Sequence, residues 1–88
     1  MNYKNISINE LKEGDLLKVC ADKVQVACVP ATKVTKTQVT VVIREEVVQE
    51  ENPKNTILTP VTVRFNLQSG KEIGGDRSIT LSDVLRVL

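Results

Sequence analysis

The stretch Val34-Thr35-Lys36-Thr37-Gln38-Val39-Thr40-Val41-Val42-Ile43-Arg44-Glu45-Glu46-Val47-Val48 decides how this chain folds. Val39, Val41, Ile43 and Val47 share one parity, and Gln38, Thr40, Arg44 and Glu46 share the other. A period of two is the mark of a half-buried strand. The next segment, Gln49 to Asn55, is polar and contains Asn52-Pro53, so it reads as a loop. Thr56 to Gln68 then alternates again, with Ile57, Val61, Val63, Phe65 and Leu67 on one side. Leu58, Thr62, Arg64, Asn66 and Gln68 fall on the other. Folding the two stretches into a hairpin sets Val39 opposite Leu67, Val41 opposite Phe65 and Ile43 opposite Val63. The dry faces then coincide, as paired residues must share a side of the sheet. Pro60 interrupts the outer half, by a bulge or on an edge, because proline cannot donate to a ladder. The arm beyond Arg44 and Pro60 is therefore expected to project.

Upstream, Ile6 to Asp15 reads as a lead-in that ends in a turn at Gly14-Asp15. Leu16–Ala21 and Val24–Val29 form a second hairpin with Asp22-Lys23 at its tip. A regular ladder pairs Ala21 with Val24, Val19 with Val26 and Leu17 with Cys28, all on one dry face. Lys18, Cys20, Gln25 and Ala27 take the wet face, so the two thiols fall on opposite faces and Cys28 reads as core. Pro30 ends that strand. Downstream, Ser69-Gly70-Lys71 and Gly74-Gly75-Asp76 are turns around a minimal strand at Ile73. Thr80 or Ser82 caps a short terminal helix after a brief strand at Ser78 to Leu81.

Composition fits this pattern. Val, Ile and Thr contribute 14, 6 and 8 of the 88 residues, and such β-branched side chains favour strands. There is no His and no Trp, with one Tyr and one Phe. Lack of histidine removes most general-base, nucleophilic-triad and transition-metal schemes. The net charge is +1, from 12 basic and 11 acidic residues, too balanced for a strongly phosphate-seeking surface. No apolar leader and no run long enough for a membrane helix is visible, and two cysteines make no disulfide framework. These features predict a soluble, cytoplasmic protein with no membrane association.

Several strands, tight turns and no long helix predict an all-β fold with a minor helix at the C-terminus. The expected architecture is a single small antiparallel barrel over residues 1–88, with an extended hairpin arm at about 45–60. An SH3-like barrel fits best and an OB-type barrel second.

Two motifs add a resemblance. Thr35-Lys36-Thr37-Gln38-Val39-Thr40-Val41 is a T-K-T-Q-V-x-V strand. Arg64-Phe65, Ser69-Gly70-Lys71 and Ile73-Gly74-Gly75 form an R-F-x-x-x-S-G-K-x-I-G-G pattern. In this order they resemble small phage- and prophage-encoded β-barrel proteins, over about residues 32–42 and 63–77. The resemblance implies a phage or prophage origin and a barrel, and carries no activity with it. The chain departs from the pattern in one place: those proteins join the two strands by a short turn, and here Glu45 to Pro60 is inserted.

Candidate functional residues follow. Glu45, Glu46, Glu50, Glu51 and Lys54 crowd the inserted arm and are the candidate protein-binding set, since insertions on a rigid scaffold often carry function. Lys36, Arg44 and Arg64 lie on wet parities of neighbouring strands, with Lys33 and Arg86 as further cations, and are the candidate nucleic-acid set. Against the latter, sheet-type readers of single strands rely on exposed aromatics, and Phe65 has the dry parity. Gly74-Gly75-Asp76-Arg77 has the makings of an anion-binding nest, or of a plain turn. No residue set points to a catalytic centre, cofactor or metal. The chain reads as a non-enzymatic interaction module acting on a host or phage protein. A nucleic-acid-binding barrel is the first alternative. A virion-associated structural homo-oligomer, joined through an uncapped strand edge, is the second.

Overall fold

The computed structural model describes residues 2–49 and 52–88. Among these the chain forms β1 (Tyr3–Ile6), β2 (Leu16–Ala21), β3 (Val24–Val34), β4 (Gln38–Gln49), β5 (Asn52–Asn66), β6 (Ser78–Ile79) and β7 (Val84–Val87), with a 3₁₀ turn at Ile8–Glu10. All pairings are antiparallel. The strand order is β1-β7-β2-β3-β4-β5, with β6 beside β2, and this path is not closed. Between its ends, single bridges from Phe65 to Glu72 and from Lys71 to Ser78 lead from β5 towards β6.

The fold is all-β as expected, but the C-terminal helix is absent among the described residues. Val84–Val87 is a strand instead, paired with β1 from Tyr3↔Val87 to Ile6↔Val84 and with β2 at Leu16↔Leu85. Two neighbouring strands satisfy its backbone and bury Val84 completely. That tertiary gain outweighs the local capping signal of Thr80 and Ser82.

The opening stretch is also not one strand. Thr35 turns the chain: its N–H donates to the Gln38 carbonyl at 2.9 Å, and its Oγ1 accepts from the Gln38 N–H at 3.1 Å. β3 therefore ends at Val34 and β4 begins at Gln38. Pro30 does not end β3. The strand runs through it, and the Ala31 N–H beyond it still reaches the Asp15 carbonyl at 2.9 Å.

The β2–β3 hairpin turns at Asp22-Lys23, both at positive φ (51° and 66°), which is the geometry of a two-residue hairpin loop. Its register then departs from the regular ladder. A bulge between Val19 and Cys20 sets Val19 opposite Ala27 and Leu17 opposite Val29. One extra residue on β3 flips the following side chains to the other face. Val24 and Val26 are consequently 63% and 56% exposed, while Ala27 and Val29 pack against the core. Cys28 is exposed rather than core and pairs with Lys18, the parity of Cys20, so the thiols share a face; both are free.

β4 and β5 pair without interruption from Gln38↔Asn66 to Val48↔Thr56. Near the core the register is two residues from the expected one, with Val39↔Phe65, Val41↔Val63 and Ile43↔Val61. A shift of two preserves every side chain's face. Pro60 causes no bulge; it sits opposite Arg44 on an edge strand. Arg64 accepts from Ile73, and Asn66 donates to Lys71, so even-numbered β5 residues turn their backbone polar groups outward, away from β4. The missing N–H of Pro60 faces that outer edge, where the ladder does not need it.

The core gathers Leu17, Val19, Val39, Val41, Ile43, Val63, Phe65, Ile79 and Val84, with Ile6, Leu11 and Ala31. One charged group is buried beside it. Asp15 is 3% exposed and its carboxylate receives Nε and Nη2 of Arg86, each at 2.9 Å. The Lys12 N–H adds a third bond at 2.9 Å. The Arg86 guanidinium holds the Asp15 carboxyl below the usual carboxylate range against the opposing pull of burial. Three residues further along the chain, Lys18 of β2 pairs with Asp83 just before β7, which raises the Lys18 ammonium above its ordinary value.

Two predictions follow from these placements. Val26→Thr changes stability in urea by no more than about 0.5 kcal/mol, whereas Leu17→Ala costs about 2–5 kcal/mol. A large loss at Val26 contradicts the bulged register. For Asp15, the folded-state pKa lies below the unfolded value of about 3.9, so the unfolded chain binds more protons in acid. Its contribution is complete above that unfolded value and is lost as pH falls through the folded one. Asp15→Asn should cost about 1–3 kcal/mol at pH 7, and the gap from the parent should close as the pH is lowered through that window.

Candidate functional site

The last core-facing pair of the β4–β5 hairpin is Ile43 opposite Val61, with Ile43 4% exposed and Val61 half-buried against the core. Beyond it the two strands continue as a ribbon through Val47↔Ile57 to Gln49↔Asn52. Ile57 and Leu58 lie there on opposite faces, 49% and 59% exposed. The expected dry side of the ribbon therefore stops at Ile43 and does not reach Ile57. The longest dimension of the molecule is 45 Å against 23 Å for the shortest.

The expected protein-binding residues are distributed along this arm. Glu45 stands at its root and forms an ion pair with Arg77. Glu46 is exposed, in register with Leu58. Lys54 takes its place in β5, and Glu50 and Glu51 lie outside the described residues.

Arg77 also donates to Glu72 Oε1 from Nη1 at 3.1 Å and from its backbone N–H at 3.3 Å. The Glu72 carboxylate is only 9% exposed. A Cβ at Gly75 would collide with it, so glycine leaves the room that this carboxylate fills. The Gly74-Gly75-Asp76-Arg77 turn thus holds the chain's own Glu72. Arg77, between Glu72 and Glu45, ties the turn to the root of the arm.

Of the expected nucleic-acid set, Arg44 and Arg64 project from the same outward face of β4–β5. Arg44 is opposite Pro60 and Arg64 opposite Thr40, four residues apart along the ribbon, or about 13 Å. Both are exposed, and no ion pair engages either among the described residues. Lys36 is at the β3–β4 turn, on a groove of about 540 Å³ floored by Ile8, Leu11, Val34 and Leu67. Arg86 does not join this face, since Asp15 holds it. Phe65 is fully buried and Tyr3 lies on β1, so no aromatic accompanies the two arginines.

A feature with no signal in the alternating pattern is the fork between β3 and β4. β3 pairs with β4 only from Ala31↔Val41 to Val34↔Val39. It then follows β2, because the ladder with β2 continues to the hairpin tip. The fork leaves a hollow of about 230 Å³ lined by Ala21, Val26, Ala27, Ile43, Arg44, Glu45 and Arg77.

Among the described residues no group of three or more Cys, Asp or Glu side chains gathers to hold a metal ion, and no helix is long and apolar enough to cross a membrane. No family model, curated protein sequence or solved structure matches the chain.

Proposed function

We propose that this chain is a non-enzymatic protein-interaction module of phage or prophage origin, working in the host cytoplasm, whose projecting β4–β5 arm meets a host or phage protein. Its scaffold is a small SH3-like barrel. The bridges Phe65–Glu72 and Lys71–Ser78 carry the sheet part of the way round, in keeping with that architecture. One observation carries the functional reading: two adjacent large apolar side chains, Ile57 and Leu58, stand exposed on a ribbon that has run past the core. Exposed apolar side chains on both faces of an element the core does not use favour a docking role. Glu46 beside Leu58 supplies charge for orientation.

A second reading rests on the unpaired Arg44 and Arg64 of the outward face. It makes that face a phosphate-binding surface for nucleic acid, without base stacking.

Both readings are testable. Replacing residues 46–59 by a two-residue turn should leave the thermal transition cooperative, because the core pairs end at Ile43 and Val61. The shortened bait should lose the partner that the full chain recovers from host lysate; equal recovery by both sinks the arm as the binding element. For the second reading, titration with duplex and single-stranded DNA at two salt concentrations should show affinity that falls steeply with salt. Binding absent at low salt, or unchanged by Arg44→Ala and Arg64→Ala together, removes it.

A further inference from the structure

We propose that two copies of this chain pair through the free edge of β4, antiparallel about a two-fold axis at Glu45. The inference rests on the reading of the arm as an interaction element and goes beyond it: the free edge of β4 takes a second copy, and Ile57 and Leu58 on β5 are left to the host or phage protein.

The edges of the sheet differ in what they offer. β1 is only four residues long, and short edges are poor templates. The outer edge of β5 carries Pro60 in its middle, with the absent N–H on the exposed side. A proline there blocks strand addition. The outer edge of β4 has no such block. It loses β3 after Val41, and among the described residues no strand replaces it. The carbonyls of Gln38 and Thr40 face the β3 side, accepting from the Thr35 N–H and the Thr32 hydroxyl. The backbone polar groups of Arg44 and Glu46, on the same alternation, face the same way and are left without a ladder.

The side chains on this edge are complementary to themselves. Arg44 and Glu46 flank Glu45. An antiparallel two-fold about Glu45 sets each Arg44 opposite the Glu46 of the second copy, twice. By register it also sets Val42 opposite Val48 of the second copy. Opposite charges facing across strands stabilise a pair, and like charges destabilise it. Glu45 itself points to the other face, where its own Arg77 neutralises it, so the two Glu45 side chains meet as ion pairs. The pairing also places an arm beside the fork, where Val26 is 56% exposed above the hollow. An interface of this kind is isologous and closes at two copies.

Sedimentation velocity from micromolar to near-millimolar concentration tests it, on the full chain. The expected result is a monomer–dimer equilibrium. Arg44→Glu alone and Glu46→Arg alone should each weaken the dimer about tenfold, since each puts like charges together at both symmetric positions. The double exchange should restore it. Both side chains are exposed, so the single variants keep the fold, checked by circular dichroism. A chain that stays monomeric throughout overturns self-pairing, and so does a dimer that neither single substitution weakens. The arm reading is judged separately: if a chain that stays monomeric still captures a partner that the arm-deleted bait loses, the arm stands and only self-pairing is wrong.

Discussion

Asp15 puts a carboxylate where almost no water reaches, and three separate pieces of chain converge on it. Arg86 of β7 brings two hydrogen bonds, the Lys12 amide brings another, and the Asp15 carbonyl accepts from Ala31 of β3. A buried charge is tolerated only when it is paired and its remaining lone pairs are satisfied. The constraint is strict enough to fix several elements at once. It ends the lead-in at Gly14, aligns β7 beside β1 and β2, and anchors β3 at the point where it changes partners.

That change of partners shapes the molecule. β3 is shared: its first half belongs with β2, its last residues with β4. The register shift between Ala31 and Lys33 and the passage through Pro30 let the strand bend between the two. β4 is then left with one neighbour beyond Val41, and β4 and β5 leave the core together as a ribbon. The arm is thus a consequence of where β3 turns away, and the Glu72–Arg77–Glu45 chain of ion pairs braces its root.

The same geometry separates the surfaces by what they can do. Proline blunts one edge of the ribbon, and charge alternation marks the other. The outward face carries two arginines that no ion pair engages among the described residues, without an aromatic between them. The proposed contact with protein draws on the exposed apolar side chains and the free strand edge.

Sequence alone determined the all-β class, the two hairpins, the Asp22-Lys23 tip and the division of the core-side parts of β4 and β5 into wet and dry faces. Each of these rests on short-range rules: period-two alternation, turn chemistry, and proline's missing donor. The arm was legible for the same reason, as a polar insertion between two alternating stretches. Tertiary structure decided the rest. One inserted residue at the bulge exchanged Val26 and Cys28 for Ala27 and Val29 against the core, and no local pattern distinguishes the two registers. The last residues became a strand because β1 and β2 were there to pair with them. Arg86 left the candidate surface because Asp15, 71 positions away in sequence, needed a counter-charge. The fork between β3 and β4, from which the free edge comes, exists only because one strand serves two partners, and that choice is made in three dimensions.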